Sequence, residues 1–295
     1  MLRQGIRSIA VIYSNDDVVA ESDRYVIGKF DLDEYYLTFE QAMAVWKIFY
    51  VSNPSYYWLD ASVVSLGDTL LLTIADSFAG ASYRRSCDAE IDRITRECSA
   101  LIKDGMTDLE KAITITAYIV SGMEYAYESD GETPVSAMWA HSMAGFAVHK
   151  YGVCEAYAKT FMYLCLLNGV DCLSGSGYAG DEAHAWNYVK IGDEWYGADI
   201  TWTDVYGDEA VYDYFGLSGS ALFDDHTSHP SVPYGVSFIY EAPELADHNI
   251  ELAALYENGE YVGLFTSIDE ALLEVSNHAS EYMIDVGYYS PYSTR

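Results

Sequence analysis

Cys154, His184 and Asp199 each sit in a local sequence that suits one role of a thiol catalytic triad: nucleophile, general base and orienting carboxylate. Around Cys154, the segment Gly152-Val153-Cys154-Glu155-Ala156-Tyr157-Ala158 turns at the glycine. It then enters a helix-favouring stretch, Cys154 to Leu167, which Asn168-Gly169 stops. At a helix N-terminus, unpaired backbone N–H groups and the positive end of the macrodipole favour thiolate over thiol. His184 would take the thiol proton, Asp199 would hold the ring, and Cys154 would attack an amide carbonyl to give a thioester. One oxyanion donor is the Cys154 backbone N–H. The second has no candidate, because the glutamines, Gln4 and Gln41, are remote in sequence.

The elements that must position these groups are legible around them. His184 to Ile191 and Glu194 to Thr201 are rich in aromatic and β-branched residues and flank Gly192-Asp193, the pattern of a hairpin with a two-residue turn. In that register Ile191 faces Glu194, Trp186 faces Asp199 and His184 faces Thr201. His184 and Asp199 then become diagonal neighbours on one face, roughly 7–8 Å apart at the backbone. A turn one residue longer or shorter would put them on opposite faces. Upstream, Ser86 to Lys103 reads as a helix with Cys87, Ile91, Ile94, Cys98, Leu101 and Ile102 on one face. Thr107-Asp108-Leu109-Glu110 is a capping box opening a helix that runs to about Ser121. Residues 124–135 read as a loop, followed by apolar Ala144 to Val148. Nearer the start, strands are expected at Ile6 to Tyr13, Tyr25 to Phe30 and around Leu70 to Ile74, with a helix from Thr38 to about Val51.

With GVCEAYA, HAWNYV and ADITWTD in order, the chain resembles the transglutaminase-like superfamily, whose core carries Cys on a helix, His starting one strand and Asp on the next. Ala156 departs from the glycine usual there, a change that helix propensity favours. The resemblance covers about residues 107–230, and more loosely Asn53 to Leu59, which looks like the leader region of related bacterial secreted proteins. It implies an α+β chain whose papain-like or transglutaminase-like core packs a nucleophile helix on an antiparallel sheet. Around that core we expect an N-terminal α+β region and a small C-terminal β-β-α-β unit, with boundaries at 1–105, 106–240 and 241–295. Relatives of this architecture include proteolytic members, so the resemblance implies a cysteine peptidase or amidase first. A transglutaminase using an amine acceptor is the second reading. A non-catalytic surface binding module is the third, which the matched triad argues against.

The 295 residues, 51% of them hydrophobic, can bury a substantial core and form two or three domains. A formal charge of -31 repels phosphate backbones and anionic headgroups, which excludes nucleic acid and membrane surfaces as partners. The acidity suits solubility in an exposed setting first, and attraction of a cationic substrate, such as a Lys-rich protein or cell-wall amine, second. No apolar run approaches the ~20 residues of a membrane span. The 28 tyrosines, together with the resemblance, point to a bacterial extracellular or cell-surface protein, its leader removed, acting on a protein or peptide at the cell surface or wall. Five cysteines leave at least one thiol free, and Cys154 is the candidate. Cys87 and Cys98 on one helix would lie about 16 Å apart, beyond disulfide reach. Cys165 and Cys172 read as buried small hydrophobes, with a bridge between them left open. No cysteine pair has zinc-ligand spacing, and no cofactor or metal is expected.

Weaker signals complete the reading. Gly175-Ser176-Gly177-Tyr178-Ala179-Gly180 matches a dinucleotide fingerprint by letter, but a strand rather than a helix follows, so a flexible loop gating the site is expected. His226 and His229, beside Asp224-Asp225, read as solvated loop histidines in preference to metal ligands. Trp186, Trp202 and His141 are the substrate-contacting candidates, set against core packing for the tryptophans and a structural role for His141. After Leu217 the chain thins into Ser, Asp, His and Pro, the composition of a linker.

Overall fold

The computed structural model describes residues 25–204, 212–228, 242–257, 260–265, 272–273 and 282–287. The chain opens with β1 (Tyr25–Asp31), α1 (Phe39–Ser52), β2 (Val64–Leu66) and β3 (Thr69–Ile74). Thr38 starts α1 through a full capping box with Gln41. β3 lies between β1 and β2, antiparallel to both. The strand expected over residues 6–13 lies outside the described residues. Next comes α2 (Ala81–Leu101), which begins ahead of the expected Ser86. Its first turn is tied down by buried Arg84, whose Nη1 donates to the carbonyls of Phe78 at 2.5 Å and Ala79 at 2.8 Å. An anchor made by a side chain inside the helix to carbonyls five and six residues back leaves no capping signature in the sequence. Cys87, Ile91, Ile94 and Cys98 face the core as expected, but Leu101 is exposed at the helix end and Ile102 lies beyond it.

α3 (Asp108–Val120) starts at the Thr107–Glu110 capping box. Two short strands, β4 (Glu124–Tyr125) and β5 (Tyr151–Gly152), pair in parallel and lead into α4 (Cys154–Leu167). Then follow β6 (Cys172–Ala179), β7 (Glu182–Ile191), β8 (Glu194–Ala198), α5 (Ile200–Thr203), β9 (Phe215–Leu217), α6 (Gly219–Leu222) and β10 (His226–Ser228). They build an antiparallel sheet in the order β10-β6-β7-β8-β9. Asn187 of β7 fastens α4 to this sheet, its Nδ2 donating to Ala158 O at 3.0 Å and Leu173 O at 3.3 Å.

Two expectations fail here. Residues 175–179 are not a loop: they are the second half of β6, paired residue for residue with β7. The glycine at 175 answers a packing need, since a Cβ there would lie 2.8 Å from Trp186 Cδ1. Nor are residues 218–228 a linker, while residues 229–241 lie outside the described residues. Ser218 caps α6, and β10 forms the edge of the sheet by pairing His226 with Ala179 and Ser228 with Gly177. Edge pairing through backbone groups tolerates polar side chains, so composition hid it.

The last elements, β11 (Leu252–Glu257), β12 (Glu260–Phe265) and β13 (Tyr282–Gly287), form an antiparallel sheet in the order β12-β11-β13. The Asn258-Gly259 turn, and all of the expected helix 267–278 except helical Leu272 and Leu273, lie outside the described residues. One buried cluster runs from Ile27 through Trp46, Phe49, Ile115 and Phe161 to Leu252, so segments from all three parts of the chain share a core.

Candidate active site

Cys154 is the first residue of α4. Val153 before it is extended, and its N–H reaches Ala140 O at 2.9 Å. The β4–β5 pairing sets Tyr125 opposite Gly152, two residues ahead of the thiol. The Tyr125 phenol therefore neighbours both the backbone amide and the sulfur of Cys154; burial, then the Cys154 charge, push its acidity down. No side chain caps α4, and Cys154 itself is partly exposed. The positive end of the helix dipole beside a reachable thiol suits an anionic sulfur and an oxyanion.

His184 lies on β7, opposite Gly177 of β6. The β7–β8 ladder has the expected register, from Ile191↔Glu194 to Asn187↔Ala198, around a turn in which Gly192 takes φ 60°. It stops there, and Trp186 does not face Asp199. Asp199 instead sends its N–H to Tyr214 O at 2.8 Å and caps α5, with Oδ1 accepting from Thr201 N at 3.0 Å and Trp202 N at 3.2 Å. The carboxylate nevertheless lies on the His184 side, with Oδ2 2.7 Å from Nε2. The Cys154 thiol neighbours the His184 ring, where its charge acts in the same direction as that of Asp199.

Electrostatics follow from this geometry. Burial alone would push His184 down, but hydrogen bonds and charge from Asp199 and Cys154 outweigh it and hold the imidazole up at about 10. Burial would raise fully enclosed Asp199, yet bonds from His184 and His226 hold it below the ordinary carboxylate value.

His226 is the member that sequence reading missed. It is 1% exposed, not a solvated loop residue. Its Nε2 lies 3.2 Å from Asp199 Oδ2 and its Nδ1 2.6 Å from Asp225 Oδ1. The rings of Trp186, Trp202 and Tyr214 surround it. The adjacent Asp225 was the available signal, but nothing local said that β10 would carry the pair under the triad. His229 lies outside the described residues. Donor atoms of His184, Asp199 and His226 fall within 4.8 Å of one another, a spacing that the hydrogen bonds among them account for.

The substrate-contacting candidates separate. Trp186 is 0% exposed and packs behind His184 and against His226, so it has no face to offer a substrate. Its role is to back the imidazole. Trp202 is partly exposed and tilts against the His184 ring at 5.4 Å, a position from which it can wall the site. His141 is occupied on both nitrogens, by Glu155 Oε2 and Val135 O, each at 3.1 Å. It belongs to a second network in which Lys159 Nζ contacts Glu155 Oε1 at 2.9 Å and lies 3.9 Å over the Tyr50 ring. All five cysteines are free; Cys165 sits beside Cys172 without a bridge, and burial pushes its thiol up.

Comparison with known proteins adds the following. Residues 96–200 match the family model of the transglutaminase-like superfamily. The human kyphoscoliosis peptidase is 27% identical over 159 residues, which is 50% of this chain and 21% of that protein. Its mouse counterpart is 26% identical over the same shares. The chain thus spans about a fifth of the length of the curated relatives it matches. Among solved structures, a TGase aligns with 48% of this chain and 43% of its own at 13% identity, with a TM-score of 0.36.

Proposed function

We propose that this chain, whose residues 96–200 match the transglutaminase-like family model, is a thiol-dependent acyl-transfer enzyme that hydrolyses peptide or side-chain amide bonds. The observation that carries the reading is the 2.7 Å His184–Asp199 pair set beside a thiol at a helix N-terminus. Cys154 gives its proton to His184, and Asp199 holds the resulting imidazolium. The thiolate attacks the amide carbonyl, and the tetrahedral oxyanion takes hydrogen bonds from the Cys154 N–H and the Tyr125 hydroxyl. His184 then protonates the departing amine, leaving a thioester on Cys154. Water, deprotonated by His184, releases the acid and regenerates the thiol. Trp202 walls the cleft and limits water around the intermediate.

Hydrolysis is favoured by the relative named as a peptidase at 27% identity. Transfer to an amine, in place of water, is the second reading, favoured by the matched family's description. The substrate in both is a protein or peptide, which we place at the cell surface or outside the cell. Among the described residues no helix is long and apolar enough to cross a membrane. The test is to incubate the protein with glutamine-containing peptides, with and without a fluorescent primary amine, beside Cys154→Ala. Cys154-dependent release of cleaved or deamidated peptide supports hydrolysis, and Cys154-dependent amine incorporation supports transfer. Absence of both over a broad peptide library contradicts the enzyme reading.

A further inference from the structure

Asp199 Oδ2 is shared between two imidazoles, and only one of them reaches the thiol. His226 is the other, enclosed by aromatic rings and held from behind by Asp225, whose Oδ2 in turn accepts from Tyr214 Oη at 2.7 Å. The groups facing His226 from every neighbouring element are His184 on β7, Asp199 at the cap of α5, Tyr214 before β9 and Asp225 before β10. Both ring nitrogens of His226 face carboxylate oxygens. An imidazole donates to both only when both nitrogens carry hydrogens; a neutral ring leaves one lone pair against a carboxylate. Asp199 has no water to turn to, being 0% exposed, so the direction of Oδ2 depends on these two rings.

We propose that His226 is a positioning residue, the far end of a chain Cys154–His184–Asp199–His226–Asp225 that fixes Asp199 Oδ2 and so holds the His184 ring on the thiol. This rests on the thiol reading above. It needs no contact between His226 and substrate. A donor at the Nε2 position is the required feature, since it satisfies Oδ2 without pulling it from His184. The imidazole's shape alone would not serve. Losing the donor lets the carboxylate rotate, moves the His184 imidazolium away from sulfur, and raises the pH at which the thiolate forms.

The test needs no substrate. The rate of Cys154 alkylation by iodoacetamide, read by mass spectrometry from pH 4 to 10, is compared between the protein and its His226→Leu and His226→Gln variants, each checked for a cooperative melt. At the pH where the unsubstituted protein is half-maximal, His226→Leu should alkylate about tenfold more slowly, the scale of one lost hydrogen bond to a charged group. His226→Gln, which keeps a donor near Nε2, should stay within about threefold. A His226→Leu profile matching the unsubstituted protein overturns the proposal, as does a glutamine variant as impaired as leucine. Should His226→Leu fail to fold, Asp225→Asn decides: a shift of the acidic limb to higher pH supports the chain, and an unchanged profile overturns it. An ordinary thiol titration in the unsubstituted protein would instead sink the thiol reading, and this proposal with it.

Discussion

Two carboxylates close to Cys154, Glu155 and Asp199, are each hydrogen-bonded to a histidine, but the rest of their surroundings sets them apart. Glu155 is matched by the buried ammonium of Lys159, with the Tyr50 ring over that ammonium. Burial would raise Glu155, but Lys159 and His141 bring it down to about 2. Its charge is cancelled by a partner that keeps its own proton, because Glu155 and Tyr50 outweigh the burial that would lower Lys159. Through the Tyr50 ring such a pair fastens α4 to α1. Among the described residues Asp199 has no cation of fixed charge paired with it. It is held by backbone N–H groups on one oxygen and by two titratable rings on the other. The difference is one of mobility of protons: a carboxylate facing Lys is a rivet, and one facing imidazoles can follow a proton being handed to and from a thiol.

Substitutions at the two networks should therefore part company. The largest effect belongs to Cys154→Ala, which should reduce amide turnover to background while leaving the melting transition intact. Asp199→Asn should follow, with turnover about 10³–10⁴-fold lower, the scale of a misoriented histidine, whereas Glu155→Gln should stay within about tenfold. Equal losses in both would erase the distinction between them. Lys159→Met reverses the order of damage. It leaves a partly buried carboxylate with His141 as its remaining side-chain partner and should cost about 1–3 kcal/mol in urea unfolding, with Cys154 alkylation in the folded fraction little changed. Tyr125→Phe sharpens the picture at the oxyanion: it should lower kcat about 10²-fold and leave the alkylation rate alone, since alkylation develops no oxyanion.

The smallest effects are in the pH dependence of stability. Glu155 has a folded pKa of about 2 against an ordinary 4.5, so its contribution is present above 4.5 and is lost as pH falls through about 2. His184 has a folded pKa of about 10 against 6.5, so its contribution is full below 6.5 and is lost as pH rises through about 10. The two networks should fail at opposite ends of the scale. Thermal melts from pH 2 to 11 should show Glu155→Gln flattening only the acid limb and His184→Gln only the alkaline limb.

The sequence spoke clearly wherever the structure is local. The helix start at Thr38, the capping box at Thr107 and the start of α4 at Cys154 each rest on a few adjacent residues, and the structure places them there. The hairpin register from Ile191 to Asn187 followed from a two-residue turn. What failed was extrapolation past a local rule. Asp199 left the ladder because its side chain caps α5, a choice typical of Asp that competes with strand pairing. Gly175 looked like flexibility and proved to be room for the indole of Trp186, eleven residues on in sequence and opposite it across the β6–β7 pairing. His226 was invisible for the same reason: its partners, Asp199 and His184, come from distant segments, and a polar edge strand gives no periodic signal.

The most direct test of the central claim is the pH dependence of Cys154 alkylation by iodoacetamide, compared with His184→Ala. Rapid labelling well below the ordinary thiol pKa of about 8.5, lost in the alanine variant, is the result that a working Cys154–His184 pair requires. Slow labelling that rises only near that value, with the same profile in both proteins, would contradict it.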